Sequence, residues 1–268
     1  MIKTIVAGIC GRMGSTIARL VYADKDMELC GGFERSDHPK IGADIGEVIG
    51  IGQLGIKIVE NLEEIIEKAD VIIDFTFHTA SLNHLKIAKQ YNKPIVIGTT
   101  GFTQQEIEEM KKMADEVKCV LSPNMSVGVN LLFKVVPQIA TILGEDYDIE
   151  IVEMHHRMKK DAPSGTAVKL AQLIAQAMNR DLDKVGVYGR KGIVGERKSE
   201  EIGVLALRGG DVVGEHTIYF AGLGERIEVT HRASSRETFA RGALRAAKWI
   251  VKQRENGIYD MLDVLGLK

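Results

Sequence analysis

The sequence predicts an α/β fold followed by an α+β one, and three observations carry that prediction. Up to about Asn130, short apolar runs alternate with helical patterns, as in a parallel sheet covered on both faces. A glycine-rich turn, Gly8-Ile-Cys-Gly11-Arg-Met-Gly14, joins the first apolar run to the first helical pattern. Beyond Asn130 the runs alternate apolar with polar residues and are broken by glycine turns, the signal of an antiparallel sheet.

In chain order, Lys3 to Ile9 reads as a strand, Arg12 to Ala23 as a helix and Met27 to Phe33 as a second strand. The glycine-rich stretch Ile41 to Gly55 reads as an irregular insertion. Leu62 to Lys68 is a short helix before the apolar strand Val71 to Phe75. A helix over Ala80 to Tyr91 leads to the buried strand Pro94 to Gly98; Thr103 to Val117 is helical and Cys119 to Ser122 is a further short strand. Leu131 to Leu143 then reads as a helix. Asp148 to His155 reads as a strand exposed on one face, with Ile149, Ile151 and Met154 set against Glu150 and Glu153. A helix runs from Ala167 to about Met178, strands separated by glycine turns fill Ile202 to Val229, and an amphipathic helix spans Glu237 to about Gln253. This last helix is expected to pack back on the first domain.

Composition narrows the function. The 268 residues are 45% hydrophobic with a net charge of −2, enough for one large or two modest cores and without the basic footprint of a nucleic-acid or membrane-surface binder. Cys10, Cys30 and Cys119 are odd in number with no CxxC spacing, so neither a disulfide frame nor a metal is expected. The N-terminus reads as a strand rather than an export signal, and no apolar run approaches ~18 residues; a cytoplasmic protein without a membrane span is expected.

Two motifs carry chemistry. Glycines in the first turn allow backbone to approach a pyrophosphate, which the following helix N-terminus stabilises. Glu34, twenty residues after Gly14, can bond a ribose diol, and Arg35 beside it can meet a 2′-phosphate, so both NADH and NADPH are expected as cofactors. Gly98-Thr-Thr-Gly101 and Ser122-Pro-Asn-Met125 follow strands where a nicotinamide would lie, and Asp74-Phe-Thr-Phe-His78 can border the adenine ribose. The second motif, Glu153-Met-His-His-Arg-Met-Lys-Lys-Asp-Ala-Pro-Ser-Gly-Thr166, sets two histidines and two lysines beside a helix start. Proton donors next to an anion-binding turn suit a small dicarboxylate that is protonated during reaction.

These segments resemble the 4-hydroxy-tetrahydrodipicolinate reductase family, long called dihydrodipicolinate reductase. The resemblance rests on Gly-x-x-Gly-Arg-Met-Gly, Glu34-Arg35, Ile-Asp-Phe-Thr, Val-Ile-Gly-Thr-Thr-Gly-Phe, Asn-Met-Ser-Val-Gly-Val-Asn, the Glu153–Thr166 motif, Gly-Asp-Val-Val-Gly-Glu-His-Thr and Thr-His-Arg-Ala-Ser-Ser-Arg, in order from residue 8 to 236. It implies a Rossmann-like dinucleotide-binding domain over 1–128 and 238–268. It implies, too, a substrate-binding domain over 129–237 whose mixed open sheet builds a homotetramer. It makes His155 the general acid/base and Lys159 the proton donor, with His156, Ser164, Gly165 and Thr166 at the substrate. Cofactor contacts fall to Gly8, Ile9, Cys10, Gly11, Arg12, Met13, Glu34, Arg35, Gly98, Thr99, Thr100, Ser122, Pro123, Asn124 and Met125. The implied reaction is NAD(P)H-dependent reduction on the diaminopimelate route to lysine. Two positions depart from the family pattern: Phe77 stands where relatives often carry an arginine, and Cys10 where they often carry glycine.

Two other readings fit less well. A metal-dependent hydrolase using His155 and His156 would need adjacent strand residues to face one ion, although they point to opposite faces. A regulator that binds NAD(P) without turnover would leave the lysine, histidine and anion turn without a task.

Overall fold

The computed structural model describes all 268 residues, Met1–Lys268. The chain opens with β1 (Ile2–Ala7), α1 (Arg12–Ala23), β2 (Met27–Phe33), α2 (Ile45–Ile49), β3 (Val71–Asp74), α3 (His78–Gln90), β4 (Ile95–Ile97), α4 (Gln104–Lys112) and β5 (Lys118–Leu121). There follow α5 (Val127–Leu143), β6 (Asp148–His155), α6 (Gly165–Ala177), α7 (Leu182–Val185), β7 (Gly186–Val187), β8 (Ile202–Arg208), β9 (Gly214–Ala221) and β10 (Arg226–Ala233). It closes with α8 (Glu237–Ile250), β11 (Gly257–Tyr259) and α9 (Met261–Leu265). These elements form two compact units, Met1–Val127 with Glu237–Lys268, and Gly128–Arg236.

In the first unit all six strands run parallel, in the order β2-β1-β3-β4-β5-β11. Such strands read as unbroken apolar runs because both faces are covered. Val6, Ile73, Val96 and Val120 pack against α1 and α8 through Ile17, Val21, Ala243 and Ile250. The alternate residues Ile5, Ile72, Ile95 and Cys119 pack on the other side against Leu85, Ala88 and Met110. Chain order reverses between β1 and β3, so the loops after these strands part there and leave a crevice at their carboxyl ends.

Three features of this unit differ from the sequence reading. The Ile41 to Gly55 insertion is built around Asp44, whose carboxylate accepts N–H bonds from Gly46, Glu47, Leu54 and Gly55 and caps α2. Those backbone bonds, Leu54 foremost, hold its carboxyl below the usual range despite the opposing effect of desolvation. The expected helix over Thr103 to Val117 stops at Lys112 and is followed by a 3₁₀ turn, Ala114–Glu116. At the C-terminus, β11 extends the sheet beside β5, and α9 follows under an Asp260/Asp263 capping box.

The second unit holds a five-stranded sheet, β10-β9-β6-β8-β7. The antiparallel expectation for Ile202 to Val229 holds for β9 and β10 only: β8 lies parallel to β6. The long connection through α6 allows that crossover, which no hairpin could make. Helices α5 and α6 cover one face, burying Ile149, Ile151, Val204, Ile218 and Phe220 against Val136, Leu170 and Ile174. On the opposite face Val152, Met154, Leu205, Thr217 and Tyr219 are half-buried and Leu207 is 50% exposed.

The side assignment of β6 also differs. Glu153 is fully buried on the face of Ile149 and Ile151, while Met154 turns to the other face. The strand's period of two requires this once Ile151 is inside. One helix, Val127–Asp146, is long and apolar enough to cross a membrane by length and composition, although Asn130, Lys134 and Gln138 interrupt its apolar run. Its Leu132, Val136 and Ala140 form part of the second unit's core.

Candidate active site

The first unit offers a cleft of about 480 Å³ at the crevice, lined by Gly8, Cys10, Gly11, Glu34, Arg35, His38, Phe75, Thr76, Phe77 and His84 among others. Glycines make the close packing possible. A Cβ on Gly14 would sit 2.1 Å from the Gly8 carbonyl oxygen, so α1 approaches the turn as only glycine permits. Gly8 has φ +61° and would place a Cβ 2.8 Å from Thr76 Cγ2. No acidic residue occupies the first turn of α1, which leaves its N-terminal dipole open to an anion. Burial, then Glu34, push the Cys10 thiol up, so a neutral side chain stands in this turn.

Glu34 follows the end of β2. Its Oε2 accepts the Cys10 N–H at 3.3 Å and its Oε1 the Arg35 N–H at 3.3 Å, which ties the carboxylate to the glycine-rich turn. Arg35 pairs at 3.1 Å with Asp37, both more than 70% exposed, a contact worth little in water. Cys10, Glu34 and His38 bring a thiol, a carboxylate and an imidazole within 4.8 Å of one another, and this carboxylate is the one expected at the ribose.

The structure therefore gathers Gly8, Cys10, Gly11, Glu34 and Arg35 in one cleft with Phe75 to Phe77. Ile9 is wholly buried, which limits it to backbone contact, and Arg12 and Met13 open α1. Gly98, Thr99 and Thr100 follow β4, and Ser122, Pro123, Asn124 and Met125 follow β5, outside the residues that line this cleft. A buried network supports the first of these segments. Asp74 Oδ1 accepts the Thr76 N–H at 2.8 Å and its hydroxyl at 2.7 Å, and Ser81 Oγ donates to Thr99 at 2.7 Å. His84 Nδ1 sits 2.7 Å from Asp74 Oδ2. Asp74 heads a segment singled out from the sequence; Ser81 and His84 do not belong to one. Both are residues of α3 whose part in the network shows only through tertiary contacts.

In the second unit the Glu153–Thr166 motif folds around Glu153. Its Oε2 lies 2.6 Å from His155 Nδ1 and accepts from Arg208 Nη1 at 2.7 Å. Its Oε1 accepts from Arg208 Nη2 at 2.8 Å and from the Ser164 N–H at 2.9 Å. Removing one member of such a buried charged pair costs about 3–5 kcal/mol. Burial alone would raise the Glu153 carboxyl, but Arg208, His155 and the Ser164 N–H together hold it below the ordinary range. His155 is half-buried with its ring against Gly214, where a Cβ would lie 3.0 Å from Nε2. Desolvation lowers its pKa, and Glu153 offsets this only in part.

Lys159 reaches Asp161 at 2.9 Å. His156 Nδ1 is buried with no hydrogen-bond partner, and Lys160 is exposed. Ser164 is buried, with its hydroxyl capping Ala167 and meeting His216 Nε2 at 3.0 Å. Gly165 opens α6 and faces open space, since a Cβ there meets nothing within 4 Å. Glu153, Arg208 and His216 escaped sequence reasoning. A signal for Glu153 existed, because it shares a strand face with His155; the other two reach the site from 55 and 52 residues away from their partners.

His216 makes a pH prediction. Burial first, then His155, depress its pKa to about 3, whereas an unfolded histidine titrates near ~6.5. Between these values the unfolded chain binds more protons, so stability falls as pH drops from about 6.5 toward about 3. Depressed His155 and Glu153 act with the same sign, the latter as pH falls below the usual carboxylate range. Urea unfolding at a series of pH values should show the decline, at up to about 1.4 kcal/mol per pH unit for one proton. His216→Gln should flatten it; an unchanged slope would remove His216 as its source.

Comparison with known proteins agrees across the chain. Residues 2–125 match the model for the N-terminus of dihydrodipicolinate reductase, and residues 128–265 the model for its C-terminus. A 4-hydroxy-tetrahydrodipicolinate reductase of Syntrophus aciditrophicus (strain SB) is 55% identical over 268 residues, covering 100% of both chains. One of Syntrophobacter fumaroxidans (strain DSM 10017 / MPOB) is 54% identical, again over 100% of both. Among solved structures, a dipicolinate-bound dihydrodipicolinate reductase from Paenisporosarcina sp. TG-14 superposes with a TM-score of 0.76 at 26% identity, over 98% of each chain. An amine dehydrogenase from Mycobacterium smegmatis shares the fold, with a TM-score of 0.60 at 14% identity over 96% of this chain and 94% of its own.

Proposed function

The chain belongs to the dihydrodipicolinate reductase family, and from that premise we infer how its residues divide the work. It is an NAD(P)-dependent oxidoreductase that reduces 4-hydroxy-2,3,4,5-tetrahydrodipicolinate, via dihydrodipicolinate formed by loss of water, to 2,3,4,5-tetrahydrodipicolinate, the reductive step of the diaminopimelate route to lysine. The first unit binds the dinucleotide and the second the dicarboxylate ring. Bound nicotinamide supplies the hydride.

The Gly8–Met13 turn and the α1 N-terminus hold the pyrophosphate, and Glu34 accepts from the ribose hydroxyls. Gly98 to Thr100 and Ser122 to Met125 border the nicotinamide half. Reduction leaves an electron-rich ring that takes up a proton, and His155 delivers it from Nε2 with Lys159 as the neighbouring donor. The α6 N-terminus at Gly165 and Thr166 holds one carboxylate, with His156 and Lys160 adding charge. The observation that carries this reading is the convergence of His155, Lys159 and the start of α6 on one motif, in a chain whose solved relative holds dipicolinate. We assign the uncovered face of the second sheet, with Val152, Met154, Leu205 and Leu207, to a homotetramer. Light scattering should return four times the chain mass.

Both NADH and NADPH are expected to support turnover within roughly tenfold in kcat/KM, about 1.4 kcal/mol. Glu34 favours the free diol, weakly held Arg35 favours the 2′-phosphate, and Phe77, 63% exposed, offers no phosphate contact. An assay coupled to the synthase that makes the substrate tests the activity and the ratio together. Absence of oxidation with either cofactor would overturn the function, and a hundredfold preference would overturn the dual-cofactor reading. Arg35→Ala should weaken NADPH far more than NADH.

A further inference from the structure

We propose that Glu153 is the positioning residue of His155: it holds the imidazole as the Nδ1–H tautomer so that Nε2 alone exchanges a proton with the substrate. In this proposal Arg208, bonded to both carboxylate oxygens, fixes the orientation of Glu153. The inference rests on the reading of His155 as the general acid.

The geometry leaves Glu153 no other arrangement. Both carboxylate oxygens are filled, Oε1 by Arg208 Nη2 and the Ser164 N–H, Oε2 by Arg208 Nη1 and His155 Nδ1, at 2.6–2.9 Å. An ionised carboxylate only accepts, so the 2.6 Å contact requires the hydrogen on Nδ1. Nε2 then carries the lone pair in the neutral ring and the acidic proton in the charged one. During reaction the proton leaves Nε2 for the substrate carbon, Nδ1–H is retained, and solvent restores Nε2–H; Glu153 never takes a proton. The Arg208 fork donates onward to the Asp161 and Leu207 carbonyls, which ties the carboxylate to the loop that carries Lys159. The charged or titratable groups around His155 are Glu153 on its own strand, Lys159 on the loop, Arg208 on β8 and His216 on β9. Of these only Glu153 favours the imidazolium; Lys159 and Arg208 oppose it, and His216 is neutral at working pH.

The charge balance separates positioning from mere scaffolding. Glu153→Gln removes the one favourable charge at nearly constant shape, and Arg208→Gln removes an opposing one. Nitrogen-15 NMR of His155 in the whole ligand-free protein should show the Nδ1–H tautomer in the parent. In E153Q the tautomer should shift toward Nε2–H, the His155 titration should move to lower pH, and kcat should fall about tenfold or more. In R208Q the titration should move to higher pH. A folded E153Q with the parent's tautomer and titration overturns the proposal, as does a downward or absent shift in R208Q, which decides alone if E153Q does not fold. The NMR readout is independent of turnover: if His155→Ala keeps its kcat, the general-acid reading fails while the tautomer result still stands or falls on its own spectrum.

Discussion

His155→Ala and Lys159→Ala should each lower kcat by ~10²-fold or more, the range for a positioned general acid, with NADH affinity nearly unchanged. His155→Ala leaves the bidentate Glu153–Arg208 pair and the Ser164 N–H contact in place, so the fold around the site should survive. Lys159→Ala removes only a pairing with Asp161, whose carboxylate is 60% exposed, and costs little stability. The comparison to make is kcat against NADH dissociation, variant by variant. Unaltered kcat in Lys159→Ala would transfer the donor role to Lys160. Parallel losses of kcat and NADH binding would point to structural damage instead of a missing proton.

Gly165→Val should abolish competition by pyridine-2,6-dicarboxylate, a flat and unreactive ring bearing two carboxylates. A Cβ at Gly165 meets no protein atom within 4 Å, so the fold admits the valine, yet its branches stand over the N–H groups at the start of α6. Ser164 is occupied by Glu153, His216 and its own cap, so the proposed anion contact falls to the backbone beyond it. The dicarboxylate should weaken by at least about tenfold, or about 1.4 kcal/mol, while NADH titrates as in the parent. Equal dicarboxylate affinity in parent and variant would move the substrate site elsewhere.

The Glu153–Thr166 motif shows how far reading along the chain can reach. His155, Lys159 and the Ser164–Thr166 turn stand out because their residue types and spacing are informative within a dozen or so positions. Glu153 was legible in principle, but grouping Met154 with the apolar side of β6 hid it. Strict alternation puts Glu153 with Ile149 and Ile151, and the packing of Ile151 and Phe220 against α6 fixes that face as the buried one. Arg208 had no local signal, and His216, though inside the Gly-Asp-Val-Val-Gly-Glu-His-Thr segment, had none that tied it to Ser164.

The sequence by itself determined the parallel α/β first half, the glycine-rich turn after β1, the acidic residue after β2 and the double-histidine motif before α6. Each is a local property: apolar periodicity, glycine where backbone must approach, and a helix start. Tertiary structure alone decided that β8 inserts parallel to β6, that β11 extends the first sheet, that Asp44 organises the insertion, and that a buried carboxylate from β6 joins an arginine from β8 beneath His155. These are choices among partners far apart along the chain. Their free energies depend on which faces are buried and which hydrogen bonds close together, and no single segment contains that information.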